Sequence, residues 1–532
     1  MPLLQIEDCR YLDVKDKPMN RWRFGLITIV FFFLMMGDAM VLQADKSGSQ
    51  DIRPSAVAGK FYSESSPVLK QIIEAYLSDA IPISVKSPLA LIAPHAGYIF
   101  SGQICADAYN QVRNQTYDTV IILGTNHTSP RFGKIAIYPG GGFETPLGIA
   151  RVDKDLVSDL LAADQNCVLN ASVHETEHSV EVQVPFIQVL FPQAKIVPIV
   201  VGTPDPALCR SFGENLAKVM KGRRALIVAS SDLSHYPSYQ DAVKVDRETL
   251  MAIAGMDTDA LHGTLSSHHN RGIANLHTEA CGEAPILAAM AAAKALGAQG
   301  TKIVSYANSG DVSIGESDRV VGYGAVVFTK EKTLLSFPDN QTASDAITND
   351  LPDSDKKALL AFARKSITWF LKTRTVPLPR GFSSQVEQPQ GVFVTLKKHG
   401  DLRGCIGRII PDAPLKRLAG SMALQSAFND PRFPSLTLDE ISQIEIEMSV
   451  LTPIKPIAQA EDIVVGRDGV ILQKGGRSAV FLPQVAPEQG WTREQMLDQL
   501  ALKAGLSKDA WRTGAQFSTF QAIVFSESQV RP

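Results

Sequence analysis

The chain has 532 residues, 45% of them hydrophobic and 20% charged, with a formal net charge of -3. That length exceeds one ordinary hydrophobic core and implies about two to four domains, while the near-neutral balance, with no Lys/Arg-rich run in the body, excludes an electrostatic nucleic-acid surface. Six cysteines without a C-x-x-C pair exclude a disulfide framework and a zinc ribbon.

In chain order, Arg21-Trp22-Arg23 comes first, ahead of an apolar run from Phe24 to Met36 and the small residues Gly37, Ala39 and Ala44. Basic residues, a short greasy core and small residues make the three-part plan of a secretory signal. At about 1.5 Å per residue the run reaches roughly 20 Å, short of the ~30 Å hydrocarbon core. Residues 1–45 are therefore expected to be a cleaved signal. If uncleaved, they form an anchor over residues 24–42, with Lys15, Lys17, Arg21 and Arg23 on the cytoplasmic side. Either way the body is expected to be exported, periplasmic or otherwise extracytoplasmic, touching the membrane only through this segment.

From residue 51 to about 330, apolar strands alternate with helices. Ala90 to Ala93, Val120 to Leu123 and Ala225 to Ala229 are aliphatic runs without polar alternation, as strands covered on both faces require. Further strands are expected at residues 196–201, 302–306 and 320–329. Helices are expected at 67–78, 154–163, 205–220, 241–254 and 285–295, the last almost purely Ala, Leu, Met and Ile and hence buried. The fold class is α/β, a three-layer domain around a mainly parallel sheet. Residues 331–355 carry turn and linker chemistry, including Pro338-Asp339-Asn340 and Asn349-Asp350-Leu351-Pro352. A helix at 356–372 then opens a smaller α+β domain, 356–530. Its strands at 391–396 and 444–450 alternate, as in an antiparallel sheet with one face toward helices, and Gly475-Gly476 reads as a hairpin turn.

Three of the apolar strands run into a histidine: Pro94-His95, Asn126-His127 and Asp232-Leu233-Ser234-His235. Ligands in open α/β sheets bind at the carboxyl ends of the strands, so these imidazoles are expected at one rim. Cys281 lies just before the alanine-rich helix, where the helix dipole favours a thiolate. Singly, each of these residues is ordinarily a strand cap or a small buried filler. Together, two imidazoles and a thiolate make a three-ligand metal site, His95, His127 and Cys281, suited to iron, copper or zinc. Asp232 and His235, three apart, are expected to meet on one turn, the carboxylate raising the imidazole's basicity for proton transfer. His174-Glu175-Thr176-Glu177-His178 fits the H-E-x-x-H zinc-protease pattern. The β-branched residues and Pro185 that follow oppose the long helix it needs, so His178 and Glu181 are read as pocket-wall or structural residues. In the second domain, Arg403 and Cys405 in Leu402-Arg403-Gly404-Cys405-Ile406-Gly407 are candidate pocket residues, with Asn429 to Pro434 a rigid loop able to close over them. No G-x-S-x-G elbow is present to support acyl transfer.

The strings Ala93 to Tyr98, Gly124 to His127, Glu177-His178-Ser179, Ser230 to His235 and Ala280-Cys281-Gly282 resemble the Memo family over about residues 51 to 330. Leu402 to Gly407, with Asn429 to Pro434, resembles an AMMECR-type domain over about 355 to 530. Together they resemble two fused parts of the AmmeMemoRadiSam system, which implies a radical-SAM protein in trans; this chain has no C-x-x-x-C-x-x-C triad of its own. The Memo fold is similar to class III extradiol dioxygenases. That resemblance implies His95, His127 and Cys281 as ligands of a mononuclear Fe(II) or copper ion, ahead of zinc, with Asp232 and His235 flanking it. His235 matches the dioxygenases' acid–base histidine. Those enzymes use a carboxylate where this chain has Cys281, and the softer ligand shifts preference toward copper or a redox-active iron. The expected function is metal-dependent redox chemistry on a small molecule or on the metal itself, with the second domain binding substrate or partner. A metal-binding scaffold or peptide-recognition module, and a metal-independent hydrolase, are the alternatives.

Overall fold

The apolar runs pair side by side. Pro88–Ala93, Ala225–Ser230, Thr119–Thr125 and Lys195–Val201 are successive neighbours, all parallel, at the centre of an eight-stranded sheet. This computed structural model describes residues 51–333, 337 and 351–530. The signal or anchor expected at 1–45 and most of the expected linker lie outside the described residues. Every residue of Thr119–Thr125 and of Gly322–Thr329 is buried, so both faces of the sheet are covered, which is why these strands lack polar alternation. The sheet is mixed at its margins. Gly322–Thr329 runs antiparallel to both Pro88–Ala93 and Gly300–Asn308, and Ile135–Ile137 runs antiparallel to Lys195–Val201.

The expected helices form within two residues of their expected ends: Ser66–Ser78, Lys154–Ala163, Pro206–Met220, Tyr239–Ala254 and Glu283–Ala295. Their starts have local causes. Asp153 and Asp205 accept from the backbone N–H groups of Leu156 and Leu208, and Pro206 occupies the first helical position. Ala284 through Ala293 are all buried, as their composition requires. Other helices were not expected from the sequence, among them two long ones of the first domain. Tyr98–Asn110 is buried nearly all round and so carries no polar face, and Thr258–Asn270 has only Leu261 and Leu265 as buried large apolar residues.

The second domain opens on the helix Asp353–Thr373 and contains two four-stranded sheets, antiparallel throughout. In Val392–Lys398 the buried positions alternate, one face lying on the helix Leu415–Phe428. Gly475 and Gly476, at φ 58° and 75°, close the hairpin between Gly469–Lys474 and Arg477–Phe481, a two-residue turn that needs positive φ at both positions. The domains are docked. Arg380 pairs with the fully buried Asp107, Lys365 with Asp79, and the rings of Tyr76 and Trp369 lie 5.6 Å apart. Among the described residues no helix is long and apolar enough to cross a membrane.

Candidate metal centre

The parallel strands end together, and their ends carry the imidazoles to one place. Pro94 stops the first strand, and the backbone N–H groups of His95 and Ala96 donate to Asp232 Oδ1 at 2.8 and 3.2 Å. His95 is 1% exposed. Its Nδ1 lies 3.1 Å from Ser230 Oγ, and that hydroxyl gives its own proton to Ser179 O at 2.6 Å while accepting from Gln183 Nε2. Ser230 can therefore only accept from the ring, so Nδ1 of His95 carries the proton and Nε2 presents a lone pair. That lone pair points at Cys281 Sγ, 3.2 Å away.

His127 is oriented by a carboxylate. Glu177, 1% exposed, accepts from His127 N at 2.7 Å and from His127 Nδ1 at 2.9 Å, which leaves Nε2 of this ring free as well. Burial raises the pKa of Glu177, but the His127 hydrogen bond and the charges of His127 and His178 outweigh it and hold the carboxyl at about 2. His178 stacks on His127 with ring centroids 4.5 Å apart, and His95 meets each of them edge-on at 5.2 and 5.3 Å. Two groups of ligating atoms result, each within 4.8 Å internally: His95, His127 and His178, and His95, Asp232 and Cys281. His95 belongs to both, and the expected trio His95, His127 and Cys281 is spread across them.

Burial, then repulsion from neighbouring imidazoles, pushes His95 well below its usual pKa and takes His178 and His235 down to about 4. These rings are neutral at pH 7, as metal ligands must be.

Several expectations need correction. Asp232 does not reach His235: residues 231–234 are not helical, and Asp232 Oδ1 is taken by the His95 and Ala96 backbone. The Asp232 carboxyl rises to about 6 through burial, partly offset by those two bonds. His235 Nε2 is buried with no partner. Cys281 does precede the helix Glu283–Ala295, with Gly282 as its N-cap. Its thiol is nevertheless pushed up, by burial and then by the Asp232 charge, rather than lowered by the helix terminus. Glu181 is spent on partners outside the cluster. It is fully buried and accepts from Arg53 Nη1, Tyr62 Oη and the N–H groups of Ala56 and Val57, the structural role among those expected for it. The H-E-x-x-H string divides: His174 is buried beside Tyr138 and Phe143, bonded to Ala136 O, while His178 joins the cluster.

In the second domain Cys405 sits on the strand Asp401–Arg408, and the loop expected to close over it does so. Cys405 N donates to Asp430 Oδ2 at 2.9 Å, and Arg432 Nη2 donates to Cys405 O at 3.0 Å. Arg403 is spent on Glu440, at 3.1 and 3.0 Å, and on Pro434 O. Glu177, Ser230 and Gln183 were not singled out as site residues. Glu177 filled a free position of a pattern whose helix does not form, and its place directly before His178 was the available signal.

The family model for Memo-like proteins matches residues 53–327, and that for AMMECR1 matches 360–525. A MEMO1 family protein of Desulfurococcus amylolyticus is 34% identical over 290 residues, covering 52% of this chain and 98% of its own length. One from Thermoplasma volcanium is 32% identical over 281 residues, covering 53% and 99%. A crystal structure of an uncharacterized protein, PH0010 of Pyrococcus horikoshii, is 37% identical, covering 34% of this chain and 95% of its own, with a TM-score of 0.33.

Proposed function

Since the chain belongs to the Memo family, with an AMMECR1 domain behind the Memo part, we propose that it is a metal-dependent redox protein. It binds one Fe(II) or copper ion through His95, His127 and Cys281, with His178 as an additional imidazole. The supporting observation is the orientation of the rings. His95 and His127 have Nδ1 tied to oxygen acceptors, so each offers its Nε2 lone pair, and the Cys281 thiol lies against one of them. Imidazole with thiol suits copper or iron ahead of zinc at a redox site. A bound ion would supply a reversible one-electron change of oxidation state.

The chain's own groups do the rest. Asp232 fixes the His95 backbone, Glu177 fixes the His127 ring, and Cys281 gives up its proton on binding. His127 and His178, with side chains 30% and 21% exposed, leave the cluster open on one side to a small molecule or peptide. His235, with its buried Nε2 unpaired, holds or moves a proton beside that opening. The AMMECR-type domain, through the face around Cys405, binds substrate or partner. A radical-SAM protein acts in trans, and the body works outside the cytoplasm. The same opening favours the second reading, a metal-binding scaffold. The hydrolase reading has little support, because Ser230 and Ser231 donate to the carbonyls of Ser179 and Asp232 and Asp232 does not orient His235.

Elemental analysis of anaerobically purified protein, followed by oxygen-consumption and Cu(II)-reduction assays, tests the proposal. Stoichiometric iron or copper with turnover, lost in His235→Ala while the metal stays, is expected. Metal without turnover would favour the scaffold, and metal-free protein that hydrolyses esters would sink both.

A further inference from the structure

We propose that Arg417, in the second domain, is a positioning residue for His235 in the first, acting through residues 315–322. His235 Nε2 has no partner, so its place is set largely by backbone. That backbone is laddered on two sides. On one, His235 N donates to Thr278 O at 2.9 Å and His277 N to His235 O at 3.1 Å. On the other, Leu233 N donates to Gly322 O, Gly322 N to Ser234 O, Tyr236 N to Val320 O, Val320 N to Pro237 O and Tyr239 N to Ser317 O, all at 3.0 Å or less.

Tyr236, directly after His235, has φ 74°. A bulky L residue rarely adopts this left-handed conformation, and it persists only where its surroundings over-determine it. The surroundings here are the Val320 carbonyl and the Arg319 guanidinium, 3.9 Å above the Tyr236 ring. Both belong to the segment that the second domain grips. Arg417, 8% exposed, donates through Nη1 to Ser317 Oγ and through Nη2 to Gly315 O, while its Nε is buried without a partner. One turn along the same helix, a Cβ on Gly420 would lie 2.4 Å from Ser313 Oγ, so the bare glycine lets the helix pack directly against Ser313. Asp311, whose carboxylate accepts from Tyr239 Oη at 2.6 Å, adds its charge on the Arg417 side. An arginine fork holding two acceptors of one loop fixes that loop's geometry in a way a point charge cannot. The AMMECR1 domain thereby braces the segment on which His235 is laddered, whether or not a metal is bound at the candidate site.

The test is the ring signal of His235 in full-length protein grown with isotope-labelled histidine, identified by its absence in His235→Asn. In Arg417→Ala the signal is expected to move or broaden, while that of His174, buried elsewhere, keeps its place. Lys365→Ala, which removes a different contact between the domains, is expected to leave His235 unmoved. A folded Arg417→Ala with a wild-type His235 signal overturns the proposal, as does an equal displacement in Lys365→Ala. Arg417→Lys keeps the charge but loses the fork. It carries the same reading should the alanine variant fail to fold, and an unmoved His235 signal in it also overturns the proposal.

Discussion

At the scale of single residues, the candidate centre is a set of proton positions. Ser230 and Glu177 place protons on Nδ1 of His95 and His127, and burial holds the His95 ring neutral. Cys281 is the one proposed ligand that must still lose a proton, because burial and Asp232 raise its pKa. Metal binding therefore releases that proton, and affinity is expected to rise about tenfold per pH unit above pH 7. His95 and His178, whose pKa values burial lowers, are already neutral there and add nothing to the slope. Competition titrations against a chelator at several pH values measure it, and Cys281→Ser should both flatten the dependence and sharply lower copper or iron content. A slope unchanged in that variant would remove the thiol from the ligand set. Glu177→Gln keeps the shape but puts an amide N–H where His127 needs an acceptor. Metal affinity should fall roughly 10–100-fold with the melting curve little changed. Undiminished affinity would mean that Glu177 does not orient the ring.

At the scale of elements, the site depends on how closely strand ends approach a helix start. A Cβ on Gly282 would lie 2.5 Å from Ser231 Cβ and 2.6 Å from Ser230 O, so this glycine lets the helix Glu283–Ala295 begin against the end of the strand Ala225–Ser230. Gly282→Ala must push Cys281 away from that strand. A loss of about 1–3 kcal/mol in chemical denaturation is expected, together with reduced metal uptake. Full metal content in the variant would show that the sulfur tolerates displacement. Elements also explain what the sequence left unread. Tyr98–Asn110 carries its burial all round, so its periodicity is invisible in the composition of any one face. The i, i+3 spacing of Asp232 and His235 suggested a shared turn only because a helical conformation was assumed there.

At the scale of the whole molecule, the second domain is part of the first domain's electrostatics. Asp107 is fully buried, and Arg380 Nη1 donates to its Oδ1 at 3.0 Å while Nη2 reaches Oδ2. Ile81 N and Ser305 Oγ also donate to it. Removing the arginine leaves a buried carboxylate without its counter-charge, which costs about 3 kcal/mol. Urea unfolding of Arg380→Ala should show that loss, and Asp107→Asn in the same chain should recover part of it. A change below about 0.5 kcal/mol would class the pair with exposed ion pairs, which contribute little.

The sequence alone determined the periodicities: continuous apolar strands for a sheet covered on both faces, alternation for the second domain, Gly475-Gly476 for its hairpin, and histidines at strand ends. These are local properties, set by neighbours a few positions away. Only the tertiary structure decided that Asp232 serves His95 and leaves His235 Nε2 unpaired, that Glu177 orients His127, that Glu181 pairs with Arg53, and that burial raises the Cys281 thiol. Each of these depends on which distant groups share a small volume shielded from water, and that follows from chain topology and dielectric rather than from spacing along the chain.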